Sequence, residues 1–199
     1  MTTHRPEPRI PPIKPSEWTE EVKDIFAILG GPEQRERGPV YDIIAVFCQH
    51  PALAKPFLHY SGYLLVNSIL PDRARELVVL YAGWTCKSVY EWASHLREGL
   101  RNGAINDADI EAIKQGPDCP HWTDLERNLL KAVDQMRDTH SLDDELWSAL
   151  SREFDRRQMM ELLFVIGTYI MLSGVVNGLR IPPEAGNAGE DLVEKYGAP

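Results

Sequence analysis

Residues 76–95 read ELVVLYAGWTCKSVYEWASH, and the fold turns on how this stretch is read. It opens with an apolar helical run. It weakens at residues 83–87, where Gly, Thr and Cys are poor helix formers. A second helix then resumes at Ser88 and extends to Asn102. Glu91 and His95 are four apart, so on that helix they share one face, one turn above the other. A carboxylate beside an imidazole suits proton transfer near neutral pH. On one straight helix, the 19 residues from Glu76 to His95 would separate them by about 28 Å. A break at residues 83–87 that folds the second helix back on the first brings Glu76 towards Glu91 and His95.

A plainer reading of the same residues stands beside this one. Ser88-Val89-Tyr90-Glu91 has the pattern of a capping box, in which Glu91 reaches back to the Ser88 amide. His95 is then an ordinary i+4 partner. Glu76 likewise pairs with Arg73 or Arg75 at a helix start. Those two cations beside the positive end of the helix dipole are mildly unfavourable, which points to ion pairing or to a bound carboxylate.

Outward from this hairpin the helical signals continue. Pro71 suits a first helical turn, and residues 53–66 read as a helix after the His50-Pro51 break. Residues 41–48 fit helix or strand by pattern alone. Ser16 is placed as an N-cap, with Trp18, Val22, Ile25, Phe26 and Leu29 at helical spacing before Gly30-Gly31-Pro32. Residues 33–39 read as a polar loop. Residues 1–15 hold Pro6, Pro8, Pro11, Pro12 and Pro15, which predicts an extended arm.

Towards the C-terminus, Asn106 begins a short helix stopped by Gly116-Pro117. Thr123-Asp124-Leu125-Glu126 is a capping box that opens another, and Ser141 caps residues 142–154. Residues 156–179 form a long apolar helix or a broken pair. The segment 182–199 is rich in Gly, Pro and Ala and predicts an irregular tail. No alternating runs are joined by hairpin signals. The fold class is therefore all-α, with one domain over residues 16–181. Arg75-Glu76-Leu77-Val78-Val79-Leu80 is echoed by Met160-Glu161-Leu162-Leu163-Phe164-Val165. The echo reads as a degenerate internal duplication or as coincidence between two apolar helices.

Composition narrows the function. The 199 residues are 43% hydrophobic and 26% charged, with a net charge of −9, which argues against nucleic acid as a partner. Cys48, Cys86 and Cys119 are odd in number, far apart and without a CxxC, so neither a zinc ribbon nor a dithiol is expected. Reduced thiols in the cytoplasm are the simplest reading. The N-terminus lacks the apolar core of a secretory signal, and no run of ~18 apolar residues predicts a membrane span. His4, His50, His59, His121 and His140 make no HxxxH or HExxH spacing, so no metal site is expected.

The runs L-P-D-R-A-R-E-L-V-V-L (70–80), Y-E-W-x-x-H (90–95) and D-x-D-I-E-A-I-x-x-G-P (107–117) resemble the carboxymuconolactone decarboxylase and alkylhydroperoxidase D superfamily. The resemblance is best over residues 50–120. W-x-x-L (122–125) and Q-M-M-E-L-L-F-V-I-G-T-Y (158–169) are similar to its longer members. It implies an alkylhydroperoxidase D-like helical bundle that assembles into homo-oligomers. In the peroxidase branch a Glu precedes a C-x-x-C-x-x-x-H motif on the next helix. Glu76 and His95 match that Glu and that His, but Ser88 and Glu91 stand at the two cysteine positions. The dithiol is missing, and with it the disulfide chemistry. Cys86, two residues ahead of the motif, is a one-cysteine substitute or a buried inert thiol. The decarboxylase branch, with an acidic residue four before the His, is more similar here. Its members need no cofactor and move protons on an unsaturated acid or lactone.

The expected site follows from this resemblance. His95 is the general acid or base, and Glu91 or Glu76 orients it and raises its pKa. Tyr90 donates to a substrate oxygen, Trp84 or Trp92 forms an apolar wall, and Cys86, Ser88 and His59 are further binding candidates. Tyr90 lies nearly opposite Trp92 on the helix, so one of them faces away, and Trp92 is read as core. Tyr169 points at the pocket from the second half or is a core tyrosine with its hydroxyl bonded, and the core reading is preferred. The expected protein is a cofactor-independent lyase or isomerase acting on a small unsaturated or lactone-type organic acid. The alternatives are a thiol-dependent, hydroperoxide-reducing antioxidant protein using Cys86 and a non-catalytic binding or assembly module.

Overall fold

The computed structural model describes residues 7–185 and 189–199, and among these it contains eleven α-helices, one 3-10 turn and no strand. The all-α class read from the sequence is therefore what the chain adopts. The chain forms two compact units.

The first unit ends at Ser68 and takes in Leu179–Pro182. A 3-10 turn at Pro15–Glu17 precedes α1 (Glu20–Gly30), α2 (Gln34–Arg37), α3 (Asp42–Phe47) and α4 (Pro51–Val66). The first α-helix starts later than Ser16. Its N-cap is Thr19, whose hydroxyl accepts the Val22 amide at 3.3 Å, and Glu20 and Glu21 occupy the first turn, where the helix dipole favours anions. Residues 7–14 carry no helix or strand; the start of the expected arm lies outside the described residues. The short helix α2 replaces the expected loop. It ends at Gly38, whose φ of +96° and close approach to the Trp18 ring both exclude a side chain.

The second unit holds Ile69–Gly178 and Pro183–Pro199. Its helices are α5 (Asp72–Thr85), α6 (Val89–Asn102), α7 (Asp107–Gln115), α8 (Asp124–Thr139), α9 (Asp144–Leu150), α10 (Arg156–Leu179) and α11 (Glu190–Tyr196). Every residue from 74 to 83 in α5 is buried. With α6, α7 and α8 all packed on it, α5 has no outward face and so no amphipathic stripe. The capping box at Thr123 forms as read, and Asn106 makes a second one. Ser141 does not cap α9. Asp143 does, its carboxylate accepting the Leu146 amide at 2.8 Å. The tail read as irregular contains α11; residues 186–188 lie outside the described set.

The helix α10 runs unbroken for 24 residues, so the echo of α5 does not extend to a second hairpin. It is the one helix among the described residues long and apolar enough to cross a membrane, yet half of its most apolar window is buried inside the protein. Met160, Phe164 and Met171 are exposed on it.

Arg73 closes the start of α5 onto α7 and α8. Its guanidinium donates to both Asp109 oxygens at 2.9 Å, to the Ala104 carbonyl at 3.0 Å and to Glu126 at 2.5 Å. His121 lies 2.7 Å from Asp109, and the Asn106 amide donates to it at 2.9 Å. Burial alone would raise the Asp109 carboxyl, but these hydrogen bonds hold it at about 2. Its stabilising contribution is complete above the ordinary value of 3.8 and is lost as the pH falls towards 2. Asp109→Ala is expected to lower the unfolding free energy by ~3 kcal/mol in urea at neutral pH. The difference from the wild type should narrow below pH 3.8.

Candidate functional site

The helical hairpin forms at the end of the region the sequence marks. α5 stops at Thr85, Cys86 caps it, and Lys87 takes a left-handed φ of +56° that reverses the chain into Ser88, the N-cap of α6. The Ser88 amide donates to the Gly83 carbonyl at 2.8 Å. Gly83 itself lies against the first turn of α6: a Cβ there would sit 3.2 Å from the Trp92 nitrogen. At the other end of the pair, a Cβ on Gly99 would collide with Ile105 at 2.7 Å and touch Glu76 at 3.7 Å. The two helices thus pack antiparallel, with Glu76 level with the second half of α6.

This geometry decides between the two readings of Glu91. The Ser88 hydroxyl accepts the Glu91 amide at 3.4 Å, but the Ser88 amide is already taken by Gly83, so the reciprocal half of the box does not form. The Glu91 side chain is released into the interior, where Oε1 has no hydrogen-bond partner. Oε2 lies 4.0 Å from His95 Nε2. On the other side of the imidazole, Nδ1–H donates to Glu76 Oε2 at 2.8 Å. An ionised carboxylate only accepts, so this bond fixes the proton on Nδ1 and leaves Nε2 as the exchanging nitrogen. Arg75 donates to the other Glu76 oxygen at 3.2 Å and pairs with Asp72 at 2.8 Å. From α10, the Tyr169 ring meets His95 edge-on with centroids 4.8 Å apart.

Glu76, Glu91 and His95 are all buried. Burial would raise the Glu76 carboxyl, but the charges and hydrogen bonds of His95 and Arg75 outweigh it and hold the group below its ordinary value. Burial likewise opposes a charge on His95, yet Glu76, with Glu91 beyond, raises it. Glu91 has no such donor. Burial lifts its carboxyl to about 7, against a smaller opposing pull from His95. One carboxylate is therefore a fixed anion and the other is balanced between acid and base at neutral pH.

The remaining expected residues are distributed differently. Tyr90 sits roughly 140° around α6 from His95, and its hydroxyl donates to Glu184 at 2.8 Å. Trp92 is fully buried, stacks in a tilted arrangement on half-buried Trp84 at 5.0 Å, and donates its indole N–H to the Gly197 carbonyl. These aromatic residues clasp the C-terminal segment. Ser88 is buried as a helix cap. Cys86 is half-buried at the end of α5, where Asn177 donates to its carbonyl at 3.0 Å. His59 is exposed on α4, in the first unit. Tyr169, for which the core reading was preferred over a place at the pocket, is buried and also meets His95. Among the described residues, no three His, Cys, Asp or Glu side chains are grouped to hold a metal ion.

The folded state holds a proton on Glu91 between its ordinary value of 4.5 and about 7, so this group's contribution to stability is full at low pH and is lost as the pH rises through that window. His95, also raised, adds a loss of the same sign above 6.5. The unfolding free energy of the wild type is expected to fall on going from pH 4.5 to 7, and Glu91→Gln should remove that fall. Carbon-13 NMR of the Glu91 carboxyl should show a titration midpoint at about 7.

The model of the carboxymuconolactone decarboxylase family matches residues 51–135, which include Glu76, Glu91 and His95. No curated protein matches the sequence. An uncharacterized peroxidase-related protein from Silicibacter sp. TM1040 shares the fold with a TM-score of 0.75 at 18% identity, over 95% of this chain and 98% of its own. The debrominase Bmp8 has a TM-score of 0.70 at 16% identity over 94% of this chain and 97% of its own. A protein from Agrobacterium tumefaciens, titled for AhpD-type antioxidant defence, has a TM-score of 0.63 at 20% identity over 70% of this chain and 96% of its own. The segment that holds Glu76, Glu91 and His95 is thus similar to the carboxymuconolactone decarboxylase family, and the helical fold is the one these solved structures share.

Proposed function

We propose that this protein is a cofactor-independent acid/base enzyme acting on a small unsaturated or lactone-type organic acid. The observation that carries this reading is the buried Glu76–His95–Glu91 array. Glu76 orients the imidazole. His95 Nε2 gives or takes a proton at a carbon next to a conjugated carbonyl. The electron pair released by the breaking C–H or C–COO bond is held by that carbonyl, and protonation at carbon from Nε2–H restores the neutral product. Glu91, close to neutrality in its titration, recharges the imidazole. With Glu91 protonated, the charged imidazole offers its positive charge at Nε2, the side away from Glu76, to a substrate carboxylate.

A second reading, a thiol-dependent peroxidase using Cys86, draws on the peroxidase and antioxidant titles of two fold relatives. Two features oppose it. Burial raises the Cys86 thiol despite nearby Arg137 and Thr85, which disfavours the thiolate. Cys86 also stands ten residues along the chain from Glu76, roughly 15 Å at helical rise. Self-association belongs to the proposed reading too, supported by the exposed Met160, Phe164 and Met171 of α10.

Proton NMR in D₂O with a panel of conjugated acids and butenolide acids reads both exchange beside the carbonyl and loss of CO₂. The wild type is expected to turn over at least one of them. His95→Gln should lose ~10²-fold or more, with Cys86→Ala unchanged. Full turnover by His95→Gln removes this reading. Hydroperoxide reduction that disappears in Cys86→Ala replaces it with the thiol one. Tight binding of an acid without turnover makes the protein a binding module.

A further inference from the structure

Buried hydroxyls on a helix ordinarily find the carbonyl one turn back. Half-buried Thr85 does so with Tyr81 at 2.8 Å, and even exposed Thr139 does so with Gln135 at 2.8 Å. Ser94 in α6 and Ser173 in α10 do not. Both are at least nine-tenths buried, at 8% and 0% exposure, and neither hydroxyl has a hydrogen-bond partner. A buried hydroxyl left unmade is costly, and here two occur in one unit together with the unpartnered Oε1 of Glu91.

Their positions converge. On α6, Glu91 is four residues from His95 and three from Ser94, so these two stand on either side of it, about 100° apart around the helix. Tyr169 and Ser173 are four apart and share one face of α10. The edge-on contact of Tyr169 with His95 joins these two faces. Asn177 of α10 reaches Cys86 while Tyr169 reaches His95, so α10 runs antiparallel to α6, and Ser173, between them, comes level with Glu91, beside which His95 Nε2 lies.

We infer that Ser94 and Ser173, together with the Glu91 carboxyl, form an oxygen-binding subsite that holds the carboxylate or carbonyl of a small organic acid beside His95 Nε2. The inference rests on the acid/base reading for the role of His95, but binding at the subsite does not need turnover. Its chemistry selects the ligand class. Two hydroxyls and the neutral form of a carboxyl all donate, and beside them stands an imidazole that can carry a positive charge. That set is matched by an acceptor oxygen with negative charge, and not by an amine or an alkyl group. The Tyr169 ring covers the imidazole on the α10 side and gives the carbon skeleton an apolar surface.

The test uses the full chain labelled with nitrogen-15 histidine, with sorbate, a conjugated dienoic acid, as probe. Sorbate is expected to shift the His95 signals saturably in the wild type and in the exposed-site control Ser151→Ala. Ser94→Ala and Ser173→Ala should each weaken its binding about fivefold or more, the worth of one hydrogen bond. Because these hydroxyls have no bond to lose in the free protein, both variants should keep or exceed the wild-type Tm. Unchanged affinity in both variants, no saturable shift in the wild type, or a lowered Tm that marks a structural role would each overturn the subsite. Weakened binding in the serine variants alongside a fully active His95→Gln would sink the acid/base reading and keep the subsite. Unchanged binding alongside an inactive His95→Gln would do the reverse.

Discussion

The hydrogen bond from the Ser88 amide to the Gly83 carbonyl has consequences at every level of the second unit. It ends α5, draws the first turn of α6 against it, and occupies the one donor that would have tied Glu91 to its own helix cap. It requires Gly83, because a side chain there would press on the backbone of Trp92. With the hairpin closed, Glu76 and His95 meet although they are far apart along the chain. The buried imidazole then has a carboxyl group on either side of it.

The two carboxyl groups are chemically identical and behave oppositely because their donors differ. Glu76 has His95 on one oxygen and Arg75 on the other, so desolvation is overcome. Glu91 has neither, so desolvation prevails. Such an arrangement is poor for stability, since it keeps a half-ionised acid and unpaired hydroxyls in the interior. Arg73 shows what the same fold does where only stability is at stake. There the guanidinium and its carboxylates share several mutual hydrogen bonds, and Asp109 is saturated with donors. The contrast between a fully satisfied cluster and an unsatisfied one, both on α5 and its neighbours, is what marks the second as a site.

Much of this was legible in the sequence. The i, i+4 pair of Glu91 and His95, the break after Gly83 and the caps at Asn106 and Thr123 are local patterns, and local geometry realises them. The caps at Ser16 and Ser141 were misplaced by a few residues: Thr19 caps α1, and Asp143, which also takes a hydrogen bond from Gln135, caps α9. The pattern S-x-x-E at Ser88 fits both a capping box and a free carboxylate, and only the partner of the Ser88 amide separates them. Tyr169 was preferred as core over pocket for a different reason. It belongs to a uniformly apolar helix, and nothing in its own neighbourhood announces an imidazole 74 residues earlier in the chain. Tyr90 was a pocket candidate and Trp92 was read as core; the hydrogen-bond partners of both come from the C-terminal segment, which no local pattern predicts.

The close fit of α5 on α6 also bears on which parts of this unit can change over generations of variants. At Gly83 and Gly99 the interface has no side chain to resize, and enlarging either residue presses on a backbone or on Ile105. On α10 no neighbour stands against Gly167, Gly174 or Gly178, and the last two are exposed. Divergence, in nature or in a laboratory library, has room on α10 that the α5–α6 hairpin does not offer.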